Sequence, residues 1–351
     1  DILCNAFTYY TCRNPGSAPH AMDFTEFAAF TKGCGLRQCK TANDKKFGFV
    51  DLEAIFSELN EEDQNANKKK QKENLANDDD AFLRFEFLEL VMRVAVAFPQ
   101  TNDPKTAFSG YMIFARNNIK RECQMAAQDR NIFRKDRLYT QPVMDMLKKY
   151  NRELRILFTL NVGKDFKDMT IKEWMWFAKR AELVDTPLPP PPPGQDPVAD
   201  PNLSEADLLL VFSLSQTMSA DEIKDREQFT TMSFIEFMEA LCRTADLKDI
   251  PDKNSLVASG AVSTVHAIEC NEQARRDRKT EPIPRRPSTD KITCPPKSSG
   301  LEDRLTLLLD YVFLMMAPSC GSILMDTYKQ DKFVEELTEE CKTLYGKVLW
   351  T

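Results

Sequence analysis

The chain has 351 residues and a formal net charge of −7, and its length allows about two domains of ordinary size. Hydrophobic residues make up 42% and charged residues 29%, as in soluble globular proteins, and 11 glycines are few for a fold rich in tight β-turns. The acidic balance argues against general nucleic-acid binding, because that requires a basic face to replace the counterions of the phosphates.

In chain order, four apolar segments near the N-terminus recur in the same order further along the chain. The matching segments are residues 1–10 with 152–161, 22–36 with 169–183, 50–60 with 206–216, and 85–95 with 234–245. The last pair shows the helical period clearly, since Phe87, Leu90, Val91 and Val94 fall on one apolar stripe. An internal repeat of this kind predicts two copies of one four-helix unit.

Individual residues also correspond within the matching segments. The pairs are Phe7 with Phe158, Met22 with Met169, Glu26 with Glu173, Phe27 with Trp174, Phe30 with Phe177, Glu86 with Glu236, Phe87 with Phe237 and Arg93 with Arg243. We interpret the aromatic residues in these pairs as core, because large apolar side chains at helical spacing usually face a core.

The repeat predicts an all-α protein with two tandem, degenerate EF-hand-like four-helix domains joined by helical connectors. The predicted parts are domain 1 over 1–100, a connector over 101–150, domain 2 over 151–248, an extended basic linker over 249–300 and a second connector over 301–351. We interpret the end of the second connector as the start of a third repeat, so we expect the full protein to be longer.

Three polar or proline-rich segments interrupt the helical pattern. Residues 60–80 are predicted to be a solvated loop, and the polyproline insertion over 186–201 is either a stiff spacer or a strip that docks on an aromatic groove. The linker is basic and has no helical period, so it either contacts an acidic partner or packs along its own two domains. Its candidate partner-binding residues are Arg275, Arg276, Arg278, Lys279, Arg285, Arg286 and Lys291.

The apolar run over 305–317 and the cysteines exclude two further classes. The run is too short to span a bilayer and contains Asp310, so it predicts a buried helix and no membrane partner. The ten cysteines include no C-x-x-C pair, and the only histidines, His20 and His266, are isolated, so no zinc-ligand spacing occurs. We expect reduced thiols in a cytosolic compartment.

The loops before the repeated glutamates match a calcium loop poorly. An EF-hand loop requires oxygen ligands at positions 1, 3 and 5, glycine at 6, an apolar residue at 8 and a glutamate at 12. The loop ending at Glu236 places Asp225 at position 1 and Glu227 at position 3, but Phe229 at position 5 cannot ligate. We expect no resident cofactor, and Asp225, Glu227 and Glu236 are the weak candidates for calcium.

Residues 1–96, with Met22, Phe27, Phe30 and the run Lys32-Gly33-Cys34-Gly35-Leu36, resemble the tubulin polymerisation-promoting protein family, and 151–246 do so more loosely. That family shares a degenerate, EF-hand-derived helical domain. Tandem copies joined by a connector such as 133–139 are similar to long EF-hand-like proteins of ciliated and flagellated protists. The resemblance implies a microtubule or axoneme partner in the cytoskeleton of a cilium or flagellum.

Three functional hypotheses follow. The first is a structural, microtubule-associated scaffold of the ciliary axoneme that binds tubulin or neighbouring lattice proteins through its helical modules and basic linker. The alternative is a calcium-responsive EF-hand adaptor that exposes an apolar groove. An enzyme is not expected, because the chain lacks the P-loop, GxGxxG, GxSxG and HExxH motifs.

Overall fold

A computed structural model describes residues 2–14, 18–35, 49–60, 81–97, 109, 112–113, 115–119, 130–162, 167–184, 203–218, 225–248 and 300–327. This part of the chain is mostly helical, as predicted, and its strands are two residues long. Most of the polar insertion, the polyproline insertion, nearly all of the basic linker and the end of the second connector lie outside the described residues.

The helices follow the apolar segments of the sequence. They are α1 (Ile2–Thr11), α2 (Phe24–Gly33), α3 (Phe49–Asn60), α4 (Arg84–Ala97), α5 (Arg130–Phe133), α6 (Gln141–Lys149), α7 (Asn151–Val162), α8 (Ile171–Arg180), α9 (Glu205–Ser215), α10 (Arg226–Thr230), α11 (Phe234–Leu247) and α12 (Leu301–Thr327). Two π-helical turns lie at Ala115–Ile119 and Arg134–Leu138. The strands are β1 (Met22–Asp23), β2 (Ala81–Phe82), β3 (Met169–Thr170) and β4 (Thr231–Met232).

The chain divides into two units of contacting residues. Unit 1 comprises Asp1–Asp136 and Leu209–Met232, and unit 2 comprises Arg137–Leu208 and Ser233–Thr351. Residues 209–232 therefore belong to unit 1 although they follow part of unit 2 in the chain. Arg134 holds this segment, because its guanidinium group donates to the carbonyl oxygens of Ser215 at 3.1 Å and Gln216 at 3.2 Å. A cation at this position stabilises the carboxyl end of α9. The predicted domain boundaries, which follow the sequence repeat, stay a prediction.

The core of unit 1 is aromatic. The ring of Phe87 on α4 lies 5.4 Å from that of Phe7 on α1 and 5.0 Å from that of Phe30 on α2, measured between centroids. Strands β1 and β2 pair antiparallel, with Met22 opposite Phe82 and Asp23 opposite Ala81. Met22 and Phe82 are both buried, so this short ladder fixes the starts of α2 and α4 beside the aromatic core.

The same ring contacts recur in unit 2 between the residues that the repeat pairs. Phe237 on α11 lies 5.4 Å from Phe158 on α7 and 5.5 Å from Phe177 on α8. Trp174 is fully buried and donates its indole N–H to the carbonyl oxygen of Leu208 at 3.0 Å. A buried indole needs such an acceptor, because an unpaired N–H in an apolar core is costly. The corresponding first, second and fourth helices therefore pack through equivalent aromatic contacts in both units.

The ends of α2 and α8 are also equivalent. Gly35 after α2 has φ +68° and Glu182 after α8 has φ +49°, the left-handed conformation that closes a helix. The amide of Gly35 donates to Lys32 O and that of Glu182 donates to Lys179 O, each at 3.1 Å. The two copies share this turn, although glutamate stands in the second copy where the first has glycine.

Helix α12 packs on α11 and α6 within unit 2. Its buried apolar residues include Leu305, Leu308, Leu309 and Val312, so the run over 305–317 is helical and most of the side chains described in it are buried, as predicted. No described helix is both long enough and apolar enough to cross a membrane.

Hydrogen bonds hold α12 on the end of α11 and on the turn after α8. The buried guanidinium group of Arg304 donates to the carbonyl oxygen of Ala245 at 2.9 Å and to that of Lys248. These carbonyls belong to the end of α11, where a helix has acceptors without intrahelical donors. The hydroxyl of Tyr311 donates to the carbonyl oxygen of Glu182 at 3.3 Å.

Candidate functional site

The predicted partner-binding residues of the linker lie outside the described residues. They are Arg275, Arg276, Arg278, Lys279, Arg285, Arg286 and Lys291. Their role stays a prediction.

The candidate calcium ligands are described. Asp225 immediately precedes α10, and Glu227 is exposed within that helix, so the middle of the predicted ion loop is a helical turn. The carboxylate of Glu236 instead accepts hydrogen bonds from Ser233, from its backbone N–H at 2.8 Å and from its hydroxyl at 2.9 Å. Among the residues that the structure describes, no group of three or more His, Cys, Asp or Glu side chains is arranged to hold a metal ion.

The role of Glu236 is repeated at three other helices. Each of the four glutamates that the sequence predicts at position 12 of a loop accepts a hydrogen bond from the backbone N–H three residues earlier. The bonds are Asp23 N to Glu26 at 3.1 Å, Leu83 N to Glu86 at 2.7 Å, Thr170 N to Glu173 at 2.7 Å and Ser233 N to Glu236 at 2.8 Å. At α2, α8 and α11 the residue before the helix also caps it with its side chain, which completes a capping box.

A small cleft in unit 1 gathers polar residues from distant parts of the sequence. Its polar lining consists of Thr8, His20, Arg84, Arg130, Ser213, Gln216 and Thr217, and its apolar lining consists of Phe7, Pro19 and Phe229. None of these described lining residues is acidic. Its walls are formed by α1, the segment before β1, the starts of α4 and α5, the end of α9 with the residues that follow it, and α10.

Two buried guanidinium groups dominate the charge of this cleft. Arg84 is 9% exposed and Arg130 is 7% exposed. The Cζ atom of Arg84 lies 5.5 Å from the centre of the Phe229 ring, a cation–π contact that orients the side chain. Arg130 donates to Asn5 Oδ1 at 3.5 Å, to Thr8 Oγ1 at 3.4 Å and to the carbonyl oxygen of Gln216 at 3.5 Å.

The side-chain amide of Gln216, which is buried, holds part of the lining of the cleft. Gln216 donates its side-chain N–H groups to the carbonyl oxygens of Gln228 and Thr231, each at 2.7 Å. These bonds fix the chain between α9 and β4, so Ser213 and Phe229 keep their places in the lining.

The buried thiols of Cys12 and Cys242 are held in the protonated form at neutral pH. Burial raises the pKa of Cys12 from its ordinary value of 9.0 to about 12, even though the thiol contacts Ser213 Oγ at 3.4 Å. Burial also raises the pKa of Cys242, and repulsion from Glu239 adds to the effect. The thiol form is the unreactive one, so these cysteines serve as core residues.

No protein-family model, no curated protein and no solved structure matches the chain. The functional interpretation therefore depends on the residues and their geometry.

The sequence contains a signal for the caps but none for the cleft. The spacing of Asp23 with Glu26, Thr170 with Glu173 and Ser233 with Glu236 follows the capping-box pattern. The lining of the cleft is drawn from segments far apart in the chain, and neither Arg84 nor Arg130 belongs to a recognisable motif.

Proposed function

We propose that this chain is a non-enzymatic structural scaffold that binds microtubules or neighbouring axonemal proteins in a cilium or flagellum. Its modules are two degenerate EF-hand-like four-helix domains, and its basic linker contributes to the contact with acidic tubulin. The observation that carries the proposal is the shared use of Glu26, Glu86, Glu173 and Glu236 as helix caps.

The capping role favours a scaffold over a calcium sensor. A sensor requires its position-12 carboxylate to bind the ion in a bidentate manner and to move when the ion arrives. Here that carboxylate is hydrogen-bonded to its own helix start, and the bond supplies local stability in the absence of an ion. The loops can thus be retained as structural connections after their ligands have been lost.

The EF-hand-like part of the proposal is supported by the register of β1 with β2. Met22 lies four residues before Glu26, and Phe82 lies four residues before Glu86, so both occupy the apolar position 8 of their loops. These two residues stand opposite each other in the ladder. A ladder between equivalent positions joins two helix–loop–helix hands side by side.

A protein partner is supported by exposed aromatic and apolar side chains in unit 2. Trp176 on α8 is 51% exposed, and the guanidinium group of Arg180 lies 4.3 Å from the centre of its ring. Tyr139 and Ile235 are exposed as well. Tryptophan, tyrosine and arginine are enriched at the energetically important centres of protein interfaces.

Co-sedimentation of the purified chain with taxol-stabilised microtubules, with and without calcium and across a salt series, tests the proposal. We expect salt-sensitive pelleting that calcium does not change, because salt screens ion pairs between exposed charges. Replacing Arg275, Arg276, Arg285 and Arg286 by Glu should abolish pelleting.

The matched control reverses four exposed charges elsewhere, at Lys135, Lys148, Lys149 and Lys172. An equal loss of pelleting in both variants would mean that microtubule binding depends only on net charge, and it would contradict a contact through the linker. Absence of pelleting by the unmodified chain would contradict the microtubule partner, and calcium-dependent pelleting would favour the adaptor.

A further inference from the structure

Helices α7 and α11 of unit 2 pack together and carry an arginine beside apolar side chains at the surface. Arg155 is exposed on α7, and its Cζ atom lies 4.4 Å from the centre of the Phe234 ring at the start of α11. The next residue, Ile235, is 73% exposed. We call Arg155, Phe234 and Ile235 the α7–α11 patch. A single exposed isoleucine is ordinary on a protein surface, so the argument depends on the combination of the three side chains.

The guanidinium group of Arg155 is oriented by two uncharged neighbours. Its Nε–H group donates to Asn151 Oδ1 at 3.0 Å, and the Phe234 ring supports it through a cation–π contact. Neither contact neutralises the positive charge with a carboxylate. A planar guanidinium group that is already held in place loses less conformational freedom when it binds a carboxylate than a freely rotating side chain does.

The start of α11 gives the patch a fixed base. The Phe234 ring lies 5.6 Å from the ring of Phe158, which is buried, so the patch rests on the core of unit 2. The glutamate beside Ile235 in the chain is Glu236, whose carboxylate accepts hydrogen bonds from Ser233 in the capping box. That carboxylate is therefore engaged in holding the helix start.

Comparison of the two copies of the repeat separates the patch from the common core. Counted from the paired phenylalanines, Arg155 corresponds to Cys4 and Phe234 corresponds to Arg84. Unit 1 forms the equivalent aromatic ring contacts without the arginine–phenylalanine pair at these positions. The shared packing of the two units does not depend on this pair, so its presence in unit 2 calls for another explanation.

We infer that the α7–α11 patch binds an acidic segment of a protein partner, in which a carboxylate and an apolar side chain are neighbours. Arg155 binds the carboxylate, and the apolar side chain packs on Ile235 and Phe234. Charge complementarity determines the choice of partner, because an exposed cation attracts carboxylates and repels basic segments. The inference rests on the proposed function in one respect, namely that the partner is a protein.

NMR titration of the full chain with three capped pentapeptides tests this inference. The first alternates glutamate with leucine, the second replaces its glutamates by glutamine, and the third replaces its leucines by serine. We expect the first peptide to shift the δ1-methyl signal of Ile235 and the Nε–H signal of Arg155. The other two should bind about tenfold more weakly or less, because each lacks one of the two contacts.

Single substitutions locate the binding. Arg155→Gln should weaken the glutamate–leucine peptide by about tenfold or more, because a hydrogen bond to a charged group is lost. Arg13→Gln is the matched control, since Arg13 is an exposed arginine of unit 1 whose Cζ atom lies 4.1 Å from the centre of the Tyr9 ring. This control makes the same change in net charge and should leave the affinity unchanged.

Ile235→Ala tests the apolar half of the patch and keeps the arginine. It should weaken the same peptide by about tenfold, because apolar surface is no longer buried on binding. The Nε–H signal of Arg155 reports binding in this variant, and the methyl signal of Ile235 reports it in Arg155→Gln. Both replaced side chains are exposed, and far-UV circular dichroism checks that both variants fold.

Three results would overturn the inference. Equal weakening by Arg155→Gln and Arg13→Gln would show that the peptide responds only to net charge. Equal affinity for the glutamate–serine peptide would contradict the apolar contact. Shifts of the two signals by vesicles of phosphatidylserine and phosphatidylcholine, without shifts by the peptide, would assign the patch to a membrane surface.

Microtubule pelleting is a separate measurement and distinguishes the two proposals. Loss of pelleting with retained peptide binding would contradict the proposed function alone. Retained pelleting without peptide binding would contradict the role of the α7–α11 patch alone.

Discussion

Helices α4 and α11 carry the same charged pair in different surroundings. In α4 the guanidinium group of Arg93 lies 2.8 Å from Glu89, with the two side chains 40% and 53% exposed. In α11 the guanidinium group of Arg243 lies 2.7 Å from Glu239, with each side chain only 7% exposed. One i,i+4 motif is therefore a surface pair in unit 1 and a buried pair in unit 2.

The environment of an ion pair, rather than the local sequence motif, decides how much the pair contributes to stability. Helix α11 is buried at successive positions around its circumference, including Ala240, Leu241 and Cys242, and α12 packs on it. A helix buried on all sides desolvates its charges, and removal of one partner then leaves the other charge without compensation. An exposed pair is screened by water and salt.

Replacing Arg243 by Ala should give the largest effect among the variants that test this comparison. We expect a loss of about 3 to 5 kcal/mol in the free energy of unfolding, because Glu239 would be left charged and buried. The matched change Arg93→Ala should cost less than about 1 kcal/mol. Urea unfolding followed by far-UV circular dichroism measures both losses, and similar losses would mean that burial does not distinguish the two pairs.

The second test asks whether α12 is what buries α11. Arg304→Gln removes the guanidinium donor from the carbonyl oxygens of Ala245 and Lys248, and we expect a loss of about 2 to 3 kcal/mol. The control Asp310→Asn changes an exposed residue of the same helix, and we expect it to cost less than about 1 kcal/mol because interactions of exposed charges are weak.

The same variants can be compared through the buried thiol of Cys242. Modification by a thiol reagent, followed by mass spectrometry of the peptide that contains Cys242, should be faster in Arg304→Gln than in Asp310→Asn, because looser docking of α12 opens α11 to solvent. Equal rates in the two variants would mean that α12 does not protect α11.

The smallest expected changes in stability concern the turns that end α2 and α8. Gly35→Ala should destabilise unit 1 by about 1 kcal/mol, because a Cβ atom is disfavoured at positive φ. Apart from the chain neighbours of Gly35, no atom of the described residues lies within 4 Å of the added Cβ. Glu182→Gly should stabilise unit 2 by about 0.5 to 1 kcal/mol by relieving the same conformation. Thermal unfolding measures both, and destabilisation by Glu182→Gly would show that the exposed glutamate side chain contributes an interaction of its own.

Much of the helical framework could be predicted from the sequence. The apolar segments over 50–60 and 206–216 correspond closely to α3 and α9, and the paired aromatic residues of the repeat form equivalent ring contacts in both units. These features depend on periodicity and on residue size, which a sequence displays directly. The functional predictions for the linker concern residues outside the described part of the chain and stay predictions.

The repeated glutamates illustrate where sequence interpretation stops. A glutamate four residues after an apolar position is compatible with a calcium ligand and equally with a helix cap, and the two roles differ only in where the carboxylate points. In this structure Glu173 and Glu236 point back to the starts of their own helices. The capping pattern was present in the sequence, but its geometry decides the role.

Residue patterns were sufficient to predict the helical class and the repeated apolar segments, because periodicity and residue size can be seen in the sequence directly. Only the tertiary structure decided that Arg243 and Glu239 are buried, that Arg304 caps α11, and that Arg84 and Arg130 share one cleft. Those outcomes require segments far apart in sequence to meet, and the packing that brings them together is specified by the whole fold rather than by any local pattern.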